Sequence, residues 1–174
     1  MIEAVQEPLD RAKAEVDAYR GGSDQPVGGY VAVMAVFSAI VATAGLVAAR
    51  TGRRLPERLG AYDLLLIAAG THKLARTISK DAVTSPLRAP FTTFAGPGGP
   101  AELMEEVRGS GVRHSVGELL TCPFCLDVWI ATGFVIGQVF APRATRLVAA
   151  TFTAITGADF LQLWYARAQS AASG

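Results

Sequence analysis

The chain has no asparagine, only two histidines among its 174 residues, and only two cysteines, both in one CPFC string. Each scarcity excludes something. Without asparagine there is no N-glycosylation acceptor. With a single cysteine pair, no second pair can take electrons onward, as membrane thiol oxidoreductases usually require. A lone CxxC is half a zinc site, and zinc takes four ligands. No HExxH string, P-loop, Ser-His-Asp order or internal repeat occurs. The net charge is only +1, and no basic stripe with interleaved aromatics is present. That pattern excludes a nucleic-acid partner.

Charge is also missing locally. Residues 30–49, YVAVMAVFSAIVATAGLVAA, contain no charged side chain. A helix rises about 1.5 Å per residue, so twenty residues cover the roughly 30 Å hydrocarbon core of a bilayer. A one-domain chain has little interior in which to hide such a helix. The segment before it carries six acids and three bases and lacks the basic start of a cleavable signal peptide. Thirteen of the sixteen basic residues are arginine, which with abundant Ala and Gly suggests a GC-rich bacterial genome.

What is present is helical period. Ile2, Val5, Leu9, Ala12, Val16 and Tyr19 lie three or four residues apart, the spacing of one helix face. Pro8 suits a first turn and Gly21–Gly22 a stop, so residues 1–29 read as an amphipathic segment with a helix over 8–20. Residues 30–174 read as a membrane domain with spans at about 30–49, 60–78, 124–141 and 147–165. The second span has a short apolar part, Leu64 to Ala69, and needs Lys73 and Arg76 to snorkel to the headgroups. A long polar loop, 79–117, is expected between the second and third spans. AGPGGP breaks regular structure within it, and Ala101 to Val107 reads as a short acidic helix. The fold class expected is all-α: a bundle of about four transmembrane helices plus the N-terminal amphipathic helix.

Within the third span, Gly133 and Gly137 form GxxxG, which admits a close helix partner, either a second copy or another membrane protein. Thr153, Thr156, Asp159 and Gln162 recur every three residues in the fourth and make a ridge that should face other helices. Arg50 to Arg58 and Arg143 to Arg146 place six basic residues on one side. The other side carries ten, so the N-terminus and the large loop are expected in the cytoplasm.

The CPFC string lies where the loop enters the third span. A thiol at a helix start feels the dipole and free N–H groups, which favour thiolate and redox chemistry. No βαβ pattern of a thioredoxin-like fold surrounds it. Alternatively Cys122 and Cys125 join His72 and His114 as zinc ligands, or pair with a second chain's cysteines. The plainest reading makes them reduced, structural thiols. A non-enzymatic scaffold or partner-binding protein of the bacterial cytoplasmic membrane is therefore the leading expectation, with no cofactor. A thiol-redox or zinc protein is the alternative.

THKLARTISKDAVTSPLRAPFTTFAG (Thr71 to Gly96) and EEVRGSGVRHSVGELLTCPFCLDVWIA (Glu105 to Ala131) are distinctive together. With the apolar runs around them they resemble a small bacterial membrane-protein family, domain of unknown function thirteen-sixty. The resemblance covers residues 59–165 and rests on THKxxR, SPLRAPF and GELxTCPFC. It highlights His72, Lys73, Arg76, Lys80, Asp81, Ser85, Pro86, Arg88, Pro90, Glu118, Cys122, Pro123 and Cys125. Asp127 departs from the pattern, which has a small residue there. The resemblance implies a membrane protein and supplies no activity. It suggests a platform of THKxxR, SPLRAPF and CPFC at one membrane face. There Lys73, Arg76 and Arg88 would meet an anionic headgroup or acidic partner.

Overall fold

A computed structural model describes residues 3–173, except the side chains of residues 3–6 and 9. Among the described residues, seven α-helices run in the order α1 Glu3–Arg20, α2 Val27–Arg50, α3 Ala61–Ser79, α4 Ser85–Arg88, α5 Gly111–Thr121, α6 Pro123–Phe140 and α7 Pro142–Ser173. Between α4 and α5 lies an antiparallel hairpin, β1 Thr92–Pro97 and β2 Leu103–Val107. The fold is mostly helical, and the small sheet corrects the all-α expectation.

α3 is the centre of the packing. It buries Leu66 and Ile67 against Phe134 of α6 and Ala149 of α7. At Gly70 an added Cβ would sit 3.1 Å from the Ala149 carbonyl oxygen, a tight contact that would push α7 outward by a few tenths of an ångström. The bonds between α3 and α7 pair ascending positions in both. Arg146 grips Asp63 at 2.7 and 3.0 Å, Thr153 donates to the Leu66 carbonyl, and Thr156 to that of Ala69. Lys73 then reaches Asp159 at 2.9 Å. The two helices are therefore parallel. α6 and α7 are joined by Ala141 alone, so α6 runs back between their ends. The polar ridge of α7 faces α3, as its three-residue spacing predicts.

Lys73 and Arg76 do not snorkel. Lys73 is paired with Asp159, and Arg76 bonds Glu102 just before β2. Arg88 carries the fully buried charge: its side chain is 0 % exposed. Its guanidinium bonds the Glu105 carboxylate, the Ile78 carbonyl (2.7 Å), the Thr84 hydroxyl (2.8 Å) and the Asp81 carbonyl (3.1 Å). That network ties the end of α3 to β2. These pairings remove Lys73, Arg76 and Arg88 as free cations for a headgroup or acidic partner.

The expected loop is thus a folded unit. Leu103 to Val107 is strand rather than acidic helix: Leu103, Glu105 and Val107 alternate with the more exposed Met104 and Glu106. Glu105 occupies an inward position because Arg88 awaits it. α5 packs on the hairpin through Gly117, where a Cβ would fall 2.5 Å from Val107 Cγ1. The N-terminal helix begins before Pro8, which lies inside it. Of its apolar stripe, Ile2 and the side chains of Val5 and Leu9 lie outside the described residues. Ala12 and Tyr19 are exposed and Val16 is half-buried.

Removing one partner of a buried ion pair leaves an uncompensated charge, at a cost of about 3–5 kcal/mol. Arg88→Ala should destabilise the chain by that order. Arg88→Lys should rescue little, because an ammonium cannot reproduce the forked geometry. Thermal unfolding of detergent-purified variants checks this; an Arg88→Ala protein melting with the parent refutes it.

Candidate functional site

Cys122 is the joint between α5 and α6. Its backbone is extended (φ −104°, ψ 106°), and its N–H closes α5 on the Glu118 carbonyl at 3.1 Å. Its Sγ accepts the Cys125 N–H at 3.2 Å, so the thiol caps α6, and Pro123 takes the first helical position. Cys125 is one turn on. The two sulfurs lie 2.7 Å apart, and both are free thiols. Phe124 projects outward, 82 % exposed.

The thiols border a cavity of about 740 Å³ between α2, α5 and α6. Its walls are apolar, with Val33, Met34 and Phe37 from α2 and Val128 and Trp129 from α6. Phe37 and Trp129 meet edge to face, with centroids 5.1 Å apart and planes at 69°. One end is polar and holds Tyr30, Ser115, Glu118 and the cysteines. α2 reaches this end through Gly29, where a Cβ would lie 2.7 Å from the Gly111 carbonyl oxygen and against Ser115 Oγ. Glu118 has one carboxylate oxygen 3.5 Å from His114 Nε2. The other, Oε2, is shielded from solvent and has no hydrogen-bond partner.

A second cavity, about 630 Å³, lies where α3 and α7 meet the turn before β2. His72 lines it, beside Lys73, Arg76, Glu102 and Asp159. Of the four candidate zinc ligands, Cys122 and Cys125 therefore stand together, His72 lines the other cavity, and His114 projects beside Glu118. Among the described residues no group of three or more His, Cys, Asp or Glu side chains is arranged to hold a metal ion. The platform of three motifs divides likewise: THKxxR and SPLRAPF share the charge network of the folded unit, while CPFC faces the first cavity. Of the GxxxG pair, Gly137 packs on Thr145 Oγ1 (2.5 Å from an added Cβ), and Gly133 faces open space.

Sequence reasoning missed Tyr30, Ser115 and the α2 wall. No motif marks them; only the Gly28–Gly29 pair just before the apolar run hints at a close approach. The segment that carries the remaining site residues, 65–165, matches the family model described as Protein of unknown function (DUF1360). The chain belongs to this family. It is also 31 % identical over 91 residues to Sporulation protein YjcA of Bacillus subtilis (strain 168), a match covering 51 % of this chain and 77 % of that protein. No solved structure matches. The family segment holds the Arg88 network and the cysteines, while α1 and α2 lie outside it. One wall of the first cavity is therefore built from residues beyond the family match.

Overpacking a close contact typically costs about 1–3 kcal/mol. Gly29→Val should lift α2 from α5, lower thermal stability by that order and speed alkylation of Cys122 and Cys125. Gly28→Val, at a position with open space, is the control. Equal behaviour of the two variants would show that α2 is not held here.

Proposed function

We propose that this chain is a multi-pass protein of the bacterial cytoplasmic membrane, with α2, α3, α6 and α7 as its four crossings. It acts as a non-enzymatic scaffold. The observation that carries this reading is where the apolar surface points. α2, α6 and α7 are each long and apolar enough to cross a bilayer. Of their most apolar stretches, only 6 %, 17 % and 6 % is buried in the protein. Ile40, Leu46, Val128, Phe160 and Leu163 are all exposed, which water would penalise and lipid tails accept. α3 is not apolar enough by itself, but its charged groups Asp63 and Lys73 turn toward Arg146 and Asp159. A helix that pairs its ions inside a bundle presents lipid with Leu64 and Leu65 instead.

In this arrangement the hairpin, α4 and α5 gather at one membrane face, on the cytoplasmic side. They form the surface that a partner would meet. The exposed Gly133 is the remaining close-approach point for a second helix. A membrane thiol protein is the second reading, favoured by two free sulfurs 2.7 Å apart at a cavity edge. A zinc version of it takes its further ligands from His72, His114 or a second chain's cysteine pair.

Alkaline carbonate washing of membranes should leave the protein in the pellet, and release into the wash overturns the integral reading. A membrane-impermeant maleimide applied to intact cells should label Cys122 and Cys125 only after permeabilisation. Labelling of intact cells reverses the orientation. A cysteine pair that cycles between disulfide and thiol in acid-trapped cells would favour the second reading over the scaffold.

A further inference from the structure

The polar end of the first cavity has its donors already committed. Tyr30 donates its hydroxyl to Gln25 Oε1 at 3.1 Å. Ser115 donates to the Pro26 carbonyl at 3.4 Å, and Thr121 to that of Gly117 at 2.9 Å. Cys125 Sγ is turned on Cys122 Sγ. What remains is Glu118: its side chain is 38 % exposed, and its Oε2, shielded from solvent, has no hydrogen bond, the Tyr30 hydroxyl beside it being turned on Gln25. A sheltered carboxylate oxygen without a hydrogen bond is costly, and it favours a ligand that brings a donor.

The rest of the lining sets the remaining limits. It contains no lysine, arginine or histidine; His114 stands outside it, 3.5 Å from the other Glu118 oxygen, so no cation faces the space a phosphate or carboxylate would enter. Beyond the polar end the walls are aliphatic and aromatic. A volume of about 740 Å³ falls within the roughly 300–1,000 Å³ of small-molecule sites.

We propose that this cavity binds a phosphate-free amphiphile from the membrane. Its hydroxyl or ammonium head donates to Glu118, and its apolar chain lies between Phe37 and Trp129. The ligand's source rests on the membrane reading above; the geometry of the cavity does not. Residues of α2 that lie outside the family match line the tail end, so tail selectivity belongs to this chain's own sequence.

The chain has two tryptophans, and only Trp129 lines the cavity. Full-length protein with Trp164→Phe, in detergent solution, therefore reports occupancy through quenching by terminally brominated amphiphiles. Brominated dodecanol and brominated dodecylamine should quench Trp129 saturably, and brominated dodecanoate about tenfold more weakly, the worth of one charge-assisted hydrogen bond. Glu118→Gln should abolish the preference for the amine over the carboxylate. In the complementary Trp129→Phe protein, quenching of Trp164 should be weak, linear and blind to the head group. Dodecanol should also slow alkylation of the cysteines at the polar end in the parent protein.

Saturation with the alcohol alone assigns a hydroxyl-headed lipid, and with the amine alone an ammonium-headed one. Equal, unsaturable quenching by all three probes overturns the proposal, as does a head-group preference that survives Glu118→Gln. Because the measurement is made in detergent, its failure is distinguishable from an error about which helices cross the bilayer.

Discussion

A guanidinium with no exposed surface is the constraint around which the folded unit is arranged. A guanidinium carries five N–H donors and no acceptor, so burying Arg88 obliges the surrounding chain to supply acceptors on every side. Glu105 provides the countercharge, and the carbonyls of Ile78 and Asp81 and the Thr84 hydroxyl take further bonds. Those groups come from the end of α3, the turn after it and β2. Satisfying one side chain therefore fixes three elements at once. With the hairpin fixed, Gly117 sets the distance of α5 from Val107 and Phe91. α5 in turn presents Ser115 and Glu118 to α2. The position of the cavity follows from an arginine that does not line it.

The same logic runs along α3. Its ionic and polar contacts look inward, toward Arg146, Thr153, Thr156 and Asp159, and its bulky apolar side chains Leu64 and Leu65 look out. Such pairs are costly to desolvate and contribute modest net stability. Their effect is on register. A one-turn slip of α7 against α3 would separate Asp63 from Arg146 and Lys73 from Asp159 together. The close approach of Gly70 to the Ala149 backbone would be lost with them.

Much of this was legible in the residues. Apolar runs located α2 and α6 closely, whereas α7, expected over 147–165, runs from Pro142 to Ser173, because its polar ends continue the helix beyond the apolar stretch. The α7 ridge was visible as a three-residue period. The polar insertion was not, for a physical reason. Strand alternation in LMEEV is hidden when the inward position is a glutamate, and only Arg88, seventeen residues earlier in the chain, makes that glutamate an interior residue. GPGGP signalled a turn, but a turn joins two strands only when the strands can be recognised. For the site, CPFC and Glu118 stood out in sequence. Their partner wall on α2 did not, since Tyr30, Val33 and Phe37 look like any membrane-facing residues until a second helix is placed beside them. His72 and His114 were joined to the cysteines by arithmetic alone; His72 lines the other cavity, and His114 stands beside Glu118.

The parallel pairing of α3 with α7 also implies an order of assembly. Asp63 is synthesised eighty-three residues before Arg146, which at about 5–20 residues per second is several seconds of chain growth. During that interval α3 holds an acid near its start and a lysine near its end, with no α7 to receive them. A helix in that position is poorly suited to leave an aqueous or proteinaceous shelter for lipid by itself. In the four-crossing arrangement proposed above, its passage into the bilayer is coupled to the emergence of the last helix, which makes α7 an intramolecular escort as well as a structural neighbour.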